Sequence, residues 1–267
     1  MPRQNRVTPY GELIAVPDRG TFWGNRGALL DREGRLARYS RGQAWAICVL
    51  SFKGRRRQQW LPGRLTELYF LDEATGLAAG HRPCGECRYR DYQAFKRAWA
   101  GSAVGGLPGA PEIDARLHAA RLAAPGVRRT YQAPLAGLPA GTMVDIGGAP
   151  WLVHDGRLLA WTPGGYQARP VEAPDGPVTV ITPQPTVAAL AAGYRPVLHP
   201  TAGRPLRLRG YDMDAPSTSL EQHERGIHAL RSGAGGTGVT KVGSRARMPR
   251  PGRGEGGEVT VTPAGSG

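Results

Sequence analysis

FLDEATGLAAGHRPCGEC, which occupies residues 70–87, is the stretch of sequence that decides the fold. The apolar residues that lead up to Asp72 are typical of a buried strand. Asp72 is a favoured helix N-cap, and Glu73 puts a negative charge in the first turn, where the helix dipole stabilises it. Gly80 suits the left-handed residue that follows a helix. The stretch therefore predicts a strand and then a short helix, directly before two cysteines.

The pair Cys84-x-x-Cys87 is the sharpest chemical feature of the sequence. A tight turn with this spacing can place two thiolates on one tetrahedral metal ion, but a structural zinc site needs four ligands. Cys48 is the candidate for the third, although a cysteine on an apolar strand is also a common core residue. The candidates for the fourth ligand are His81, His118 and His199.

Periodic patterns on both sides of this stretch predict a mixture of strands and helices. The ranges predicted as strands are 12–16, 21–27, 44–52, 67–71, 141–146, 151–153, 158–161 and 178–181. The ranges predicted as longer helices are 88–100 and 111–123. The dipeptide Asp155-Gly156 between two apolar runs is a strong hairpin signal. The fold class is therefore predicted to be α+β.

Shifts in composition divide the chain into four parts. These are a basic α+β domain with the cysteine pair (1–100), a Gly- and Pro-rich linker (101–111), a helix plus a small β-rich domain (112–205) and a mostly disordered tail (206–267). The tail is predicted to be disordered because it carries too few apolar residues to offset the entropy of ordering.

The positive charge is concentrated in the first hundred residues. The formal net charge is +14, and residues 1–100 hold 18 Lys and Arg against 9 Asp and Glu. Such an excess attracts polyanions, because neutralising phosphates releases condensed counterions. The alternative is compositional, since 32 of the 35 basic residues are Arg, a skew that a GC-rich genome also produces. The predicted phosphate contacts are Arg55, Arg56, Arg57, Arg82 and Arg88.

The three cysteines are odd in number and too few for a disulfide framework. The first residues hold no apolar run of the signal-peptide type, and no run approaches the roughly 18 apolar residues of a membrane span. The sequence therefore predicts a cytoplasmic protein without a membrane partner.

A heptapeptide occurs twice in the chain. LAAGHRP at 77–83 and LAAGYRP at 190–196 are identical at six of seven positions. Each copy follows a predicted strand and a short helix, which favours a shared structural unit. Coincidence in an Ala- and Gly-rich chain is the alternative. The second copy continues with Val197 where the first has Cys84, so only the first can carry metal ligands.

Residues 70–87 resemble the second half of the Ada-type zinc-binding domain. In that family a strand, a short helix and a Gly-aromatic-Arg-Pro-Cys-x-x-Cys turn supply the last two of four zinc cysteines, and Cys84 and Cys87 match those positions. The resemblance implies zinc and an association with DNA. The family's earlier cysteine pair, which includes the acceptor of a methyl group from damaged DNA phosphate, has only Cys48 to match it here. Methyl-transfer repair is therefore not expected. The chain as a whole also resembles a family of bacterial proteins.

The leading hypothesis from the sequence is a zinc-binding, nucleic-acid-associated protein in which the metal is structural. The first alternative is an enzyme, either a nuclease-like hydrolase or a thiol oxidoreductase that uses Cys84 and Cys87. A Cys-x-x-Cys pair at a helix N-terminus lowers a thiol pKa, but thioredoxin-like folds place it straight after a strand. The second alternative is a structural or partner-binding protein without a metal.

Overall fold

The computed structural model describes residues 1–54, 59–101, 106–167, 169, 171, 174 and 176–203. These residues form two six-stranded sheets, a two-stranded ribbon and four α-helices. The predicted α+β class is therefore confirmed. The arginines at 55–57 and the tail predicted at 206–267 lie outside the described residues, and the division into domains at 101–111 stays a prediction.

The first sheet contains the N-terminal part of the chain. Its strands are β1 (Gln4–Val7), β2 (Leu13–Ala15), β3 (Phe22–Asn25), β4 (Ala46–Cys48), β5 (Leu68–Phe70) and β6 (Arg82–Pro83). Their order is β2-β1-β5-β3-β4-β6. Strand β1 pairs with β5, and β4 with β6, in parallel, while the other neighbours are antiparallel. The strand predicted over 44–52 is shorter than expected, because the chain leaves the sheet after Cys48.

The four helices are α1 (Glu73–Ala78), α2 (Tyr89–Gly101), α3 (Ala110–Arg121) and α4 (Gln184–Ala191). Asp72 caps α1 as predicted, since its Oδ1 accepts a hydrogen bond of 2.9 Å from the Thr75 N–H. Tyr92, Phe95 and Trp99 form the buried side of α2 and pack the core, whereas Tyr89 at the start of the helix is 60% exposed. In the described part of the chain, no helix has the length and apolar character needed to cross a bilayer.

The second sheet is antiparallel throughout and contains the C-terminal part. A ribbon of β7 (Leu122–Ala124) and β8 (Val127–Arg128) precedes it. Its strands are β9 (Tyr131–Ala133), β10 (Met143–Ile146), β11 (Ala149–His154), β12 (Arg157–Thr162), β13 (Gly165–Gln167) and β14 (Val178–Val180), in the order β13-β12-β11-β10-β14-β9. The predicted hairpin at Asp155-Gly156 joins β11 to β12, and both of its residues have positive φ.

Helix α1 lies between the two sheets, and every one of its residues is buried. Gly76 lets it approach the first sheet, because a Cβ there would lie 2.7 Å from Cδ1 of Ile47. On the opposite side, Trp161 Nε1 donates to Thr75 Oγ1 at 3.0 Å, and Tyr166 Oη donates to Asp72 Oδ2 at 2.8 Å. The second sheet therefore fixes the helix that precedes the cysteine pair.

Two arginines from the C-terminal part bind the carbonyl end of α1. Arg128 donates to the carbonyl oxygens of Ala78 and Ala79 at 2.6 and 3.2 Å, and Arg121 donates to that of Gly80 at 2.8 Å. Cations at this position satisfy free carbonyls and complement the negative end of the helix dipole. Both ends of α1 are thus anchored from outside the first sheet.

The two heptapeptide copies form the same turn. In each, a glycine with positive φ donates to the carbonyl three residues back, and the next residue donates to the carbonyl five residues back, as in a Schellman motif. The bonds are Gly80 N to Leu77 O, His81 N to Gly76 O, Gly193 N to Leu190 O and Tyr194 N to Ala189 O. The two copies therefore share one helix-terminating turn.

Candidate metal centre

The parallel pairing of β4 and β6 brings two distant cysteines together. Ala46 lies opposite Arg82 and Ile47 opposite Pro83, so the register continues to Cys48 and Cys84. The Cys84 N–H donates to the Ile47 carbonyl oxygen at 2.9 Å, which fixes this alignment. Pro83 suits the end of such a short edge strand, since it has no N–H to donate to the ladder.

The turn between Cys84 and Cys87 returns the second sulfur atom to the same side. The Glu86 N–H points at Cys84 Sγ at 3.4 Å, and the Arg88 N–H donates to the Cys84 carbonyl oxygen at 3.2 Å. Helix α2 begins two residues after Cys87, at Tyr89, and its buried aromatic side packs against the core.

The sulfur atoms of Cys48, Cys84 and Cys87 all lie within 4.8 Å of one another. Ligands of a tetrahedral zinc ion with Zn–S bonds of about 2.3 Å are separated by roughly 3.8 Å, so a small contraction brings the three into coordination. The three cysteines therefore lie close enough to bind a metal ion. Among the described residues, no further Cys, His, Asp or Glu belongs to this group.

Hydrogen bonding among the thiols decides which of them is ionised when no metal is bound. The pKa of Cys84 is lowered to about 5, chiefly because Cys48 donates its S–H to the Cys84 sulfur atom. The same hydrogen bond, together with burial, raises the pKa of Cys48. Burial also raises the pKa of Cys87. Metal binding at neutral pH must therefore displace protons from Cys48 and Cys87.

The three cysteines line an open cleft with a volume of about 120 Å³, here called the cysteine cleft. Cys84 and Cys87 are half-buried, and Cys48 is buried at the end of β4. The other residues that line the cleft are Trp23, Val49, Leu50, Phe52, Gln59, Glu67, Tyr69 and Glu86. Solvent and small molecules can therefore reach the cysteines.

Arg82 and Arg88, both predicted to contact phosphate, are buried in ion pairs with internal carboxylates. Arg82 forms a two-pronged pair with Asp114, at 2.8 Å from Nε and 2.7 Å from Nη2. Arg88 Nη2 lies 2.8 Å from Glu73, whose side chain is fully buried, and 2.8 Å from Asp91. This placement assigns both guanidinium groups to the support of the cysteine turn rather than to the protein surface.

His81 lies in the core and outside the cysteine group. Its Nε2 accepts a hydrogen bond of 3.3 Å from Arg26 Nε, and its ring packs against Trp45 and Phe70. Burial, followed by the nearby arginines, lowers the pKa of His81, so the ring is neutral. The other histidines considered as a fourth ligand are also outside the group: His118 contacts Arg121, and His199 contacts Thr201.

Sequence reasoning missed the polar and aromatic side chains that line the cysteine cleft. Glu67 and Tyr69 are the most informative, because the alternation along β5 puts them on the face opposite Leu68 and Phe70. That alternation was a usable signal in the sequence. Trp23 had none, because only its pairing with Cys48 across β3 and β4 places it at the cleft.

Comparison with known proteins finds no family model, no curated protein and no solved structure that matches this chain.

Proposed function

We propose that this chain is a zinc-binding protein that associates with nucleic acid. The observation that supports it best is the meeting of three cysteine sulfur atoms within 4.8 Å. Thiolate ligands in a tetrahedral arrangement favour zinc among the common divalent metals. In the proposed role, zinc links the end of β4 to the turn that precedes α2, and the free energy of metal binding stabilises the fold.

Elemental analysis of the purified full-length chain tests the zinc proposal. One zinc per chain is expected in the wild type, and Cys48→Ser and Cys84→Ser should each lose it, because each removes one of three thiolates. His118→Asn and His199→Asn serve as matched controls and should retain one zinc. Zinc that persists in Cys48→Ser and disappears in Cys84→Ser would show that Cys48 is a core residue instead.

The association with nucleic acid is proposed from charge. With Arg82 and Arg88 occupied by carboxylates, phosphate contacts fall to arginines at the surface. Exposed arginines among the described residues of the N-terminal part include Arg3, Arg19, Arg32, Arg38, Arg41, Arg64, Arg90 and Arg97. Arg55, Arg56 and Arg57 remain predicted contacts. The resemblance to the DNA-associated Ada-type module, still an expectation, points in the same direction.

Binding to single- and double-stranded oligonucleotides at several salt concentrations tests this part of the proposal. The logarithm of the binding constant should fall linearly with the logarithm of salt, because each phosphate contact releases counterions. Replacement of Arg55, Arg56 and Arg57 together by Gln should reduce the slope by about one per lost contact. An affinity that does not change with salt contradicts the association.

A thiol oxidoreductase is the second candidate, and one observation favours it. Cys84 has a pKa lowered to about 5 and lies three residues before Cys87 in a turn at a cleft open to solvent. Reduction of a disulfide substrate would need both thiols free of metal. Zinc content and disulfide reduction together distinguish the two functions. A protein that keeps one zinc per chain and reduces no disulfide supports the zinc proposal.

A further inference from the structure

The cysteine cleft leaves one position of the metal site open. Zinc in proteins takes four ligands, and the described residues of the cluster supply three. A zinc site with three protein ligands keeps its fourth position for water or substrate, unlike a closed structural site. Because Cys48, Cys84 and Cys87 all line the cleft, a metal ion held by them would be accessible to a ligand from the cleft.

The walls of the cleft suit a flat ring with polar edges. Trp23, Phe52 and Tyr69 provide aromatic surface, and Glu67 and Gln59 provide a carboxylate and an amide. Aromatic side chains stack on nucleobases, while carboxylates and amides form hydrogen bonds with base edges.

A second depression adjoins the cleft, and it is basic. This arginine groove is lined by Pro2, Arg3, Asn5, Arg6, Val16, Pro17, Arg19, Gln59 and Tyr69. It shares Gln59 and Tyr69 with the cysteine cleft, so the two depressions meet at these side chains. Arg3 and Arg19 are exposed there, and guanidinium groups bind phosphate through paired, charge-assisted hydrogen bonds.

The boundary between the cleft and the groove is fixed by direct contacts. Gln59 Nε2 donates to Tyr69 Oη at 2.7 Å, and the guanidinium carbon of Arg6 lies 4.8 Å from the centre of the Tyr69 ring. The Tyr69 ring therefore contacts the Arg6 guanidinium and lines both the arginine groove and the cysteine cleft. Across the sheet, Tyr69 lies opposite Trp23 and Trp23 lies opposite Cys48, so the arginine groove and the cysteine group are two strands apart.

We propose that the cysteine cleft and the arginine groove form one binding site for a nucleotide unit. The base lies between the aromatic walls of the cleft, next to the open metal position, and the phosphate lies among Arg3, Arg6 and Arg19. This inference rests on the proposed zinc site and specifies the proposed nucleic-acid ligand. In this proposal a ligand can reach the metal ion, whereas a purely structural zinc site is closed by four protein ligands.

Cobalt-substituted full-length protein provides a direct test, because the visible absorption of Co²⁺ reports its coordination. The probes are the four nucleoside 5′-monophosphates, the corresponding nucleosides, inorganic phosphate and a single-stranded oligonucleotide. At least one monophosphate should change the Co²⁺ spectrum and bind about tenfold more tightly than its nucleoside. Inorganic phosphate alone should leave the spectrum unchanged. Tighter binding of the oligonucleotide than of the monophosphate would identify a strand, rather than a free nucleotide, as the source of the unit.

Two double variants locate the phosphate. Arg3→Gln with Arg19→Gln should bring the affinity for the monophosphate down to that of the nucleoside, with the Co²⁺ spectrum of the free protein unchanged. Arg35→Gln with Arg116→Gln removes the same charge from exposed positions that line neither the cysteine cleft nor the arginine groove, and it should alter the affinity less than twofold.

The outcomes separate this inference from the function on which it rests. Protein that binds one Co²⁺ and shows salt-dependent oligonucleotide binding, but whose Co²⁺ spectrum responds to no probe, overturns the nucleotide site alone. Equal loss of affinity in both double variants also overturns it, because the phosphate would then lie outside the arginine groove. A chain that binds no Co²⁺ overturns the zinc proposal and the nucleotide site together.

Discussion

The two heptapeptide copies, 77–83 and 190–196, share one backbone turn and differ in the contacts of the residues that come after it. After the first copy the chain pairs with β4 and delivers Cys84 to the cysteine group. Within the second copy, Tyr194 Oη donates to Glu73 Oε1 at 2.5 Å, and directly after it the Val197 N–H donates to Glu73 Oε2 at 2.9 Å. The second copy thus supports the helix that precedes the first.

In both copies the turn ends a helix. The residues that follow the turn determine which groups each copy contacts. Glu73 links the two copies, because its Oε2 also lies 2.8 Å from Nη2 of Arg88, the residue directly before α2. The first copy, which leads to Cys84, therefore depends on the second copy for the position of its helix. Variants that act on one copy and spare the other test this dependence, and the largest effect is expected at Glu73, where the two copies meet.

Glu73→Gln should have the largest effect on stability. The substitution leaves the Arg88 guanidinium buried with only the half-exposed Asp91 as its counter-ion, and it puts an amide where Val197 donates. Breaking a buried ion pair costs about 3 kcal/mol of unfolding free energy. The loss of unfolding free energy is measured by urea denaturation. Glu33→Gln, which breaks an exposed pair, should cost less than about 0.5 kcal/mol, and equal costs for the two variants would contradict the link between the copies.

Gly80→Ala and Gly193→Ala compare the two turns directly. Both glycines have positive φ, so each alanine should cost about 1 kcal/mol from backbone strain. A Cβ at Gly80 would also lie 2.6 and 2.9 Å from Cδ and Cβ of Arg121, while one at Gly193 meets nothing within 4 Å. We therefore expect a total of about 2 kcal/mol for Gly80→Ala. Similar midpoints for the two variants in denaturant would show that the first turn is not more tightly packed.

The pH dependence of alkylation tests the hydrogen bond between Cys48 and Cys84. In metal-free protein, the iodoacetamide reaction of Cys84 should be nearly constant from pH 6 to 8, because its pKa is lowered to about 5 and the thiolate already dominates. Cys48→Ala removes the donor, so the pKa should rise and the rate should increase with pH over that range. Cys48→Ser retains a donor and is the matched control. A wild-type rate that climbs about tenfold per pH unit would contradict the assignment.

Val197→Cys should have the smallest effect. It places a cysteine in the second copy at the position that corresponds to Cys84, but Val197 is 52% exposed and lies outside the cysteine group. Zinc should stay at one per chain, and the unfolding free energy should change by less than about 0.5 kcal/mol. A second zinc bound by this variant would show that the turn alone can create a metal site.

Local signals in the sequence account for the elements but not for their partners. Asp72, Gly80 and the Asp155-Gly156 dipeptide act within a few residues of themselves, so the cap, the helix end and the hairpin were predicted correctly. The pairing of β4 with a strand of two residues is non-local, and no periodic pattern can reveal so short a strand. The position of Cys48 beside Cys84 is therefore visible only in the folded chain.

The arginines show the same limit for the site. Arg82 and Arg88 precede and follow the cysteine pair in a basic region, which is why they were predicted to contact phosphate. Whether an arginine is exposed depends on a carboxylate that can be distant in sequence, and here Asp114 and Glu73 take both guanidinium groups. Composition gives the net charge, whereas pairing decides which charges reach the surface.

X-ray absorption spectroscopy of the zinc-loaded full-length protein tests the central claim most directly. Three cysteines with an open fourth position predict three sulfur ligands at about 2.3 Å and one nitrogen or oxygen ligand at about 2.0 Å. The same measurement on Cys48→Ser should show no ordered zinc. Two sulfur ligands in the wild type would exclude Cys48 from the site and contradict the account of how β4 and β6 assemble it.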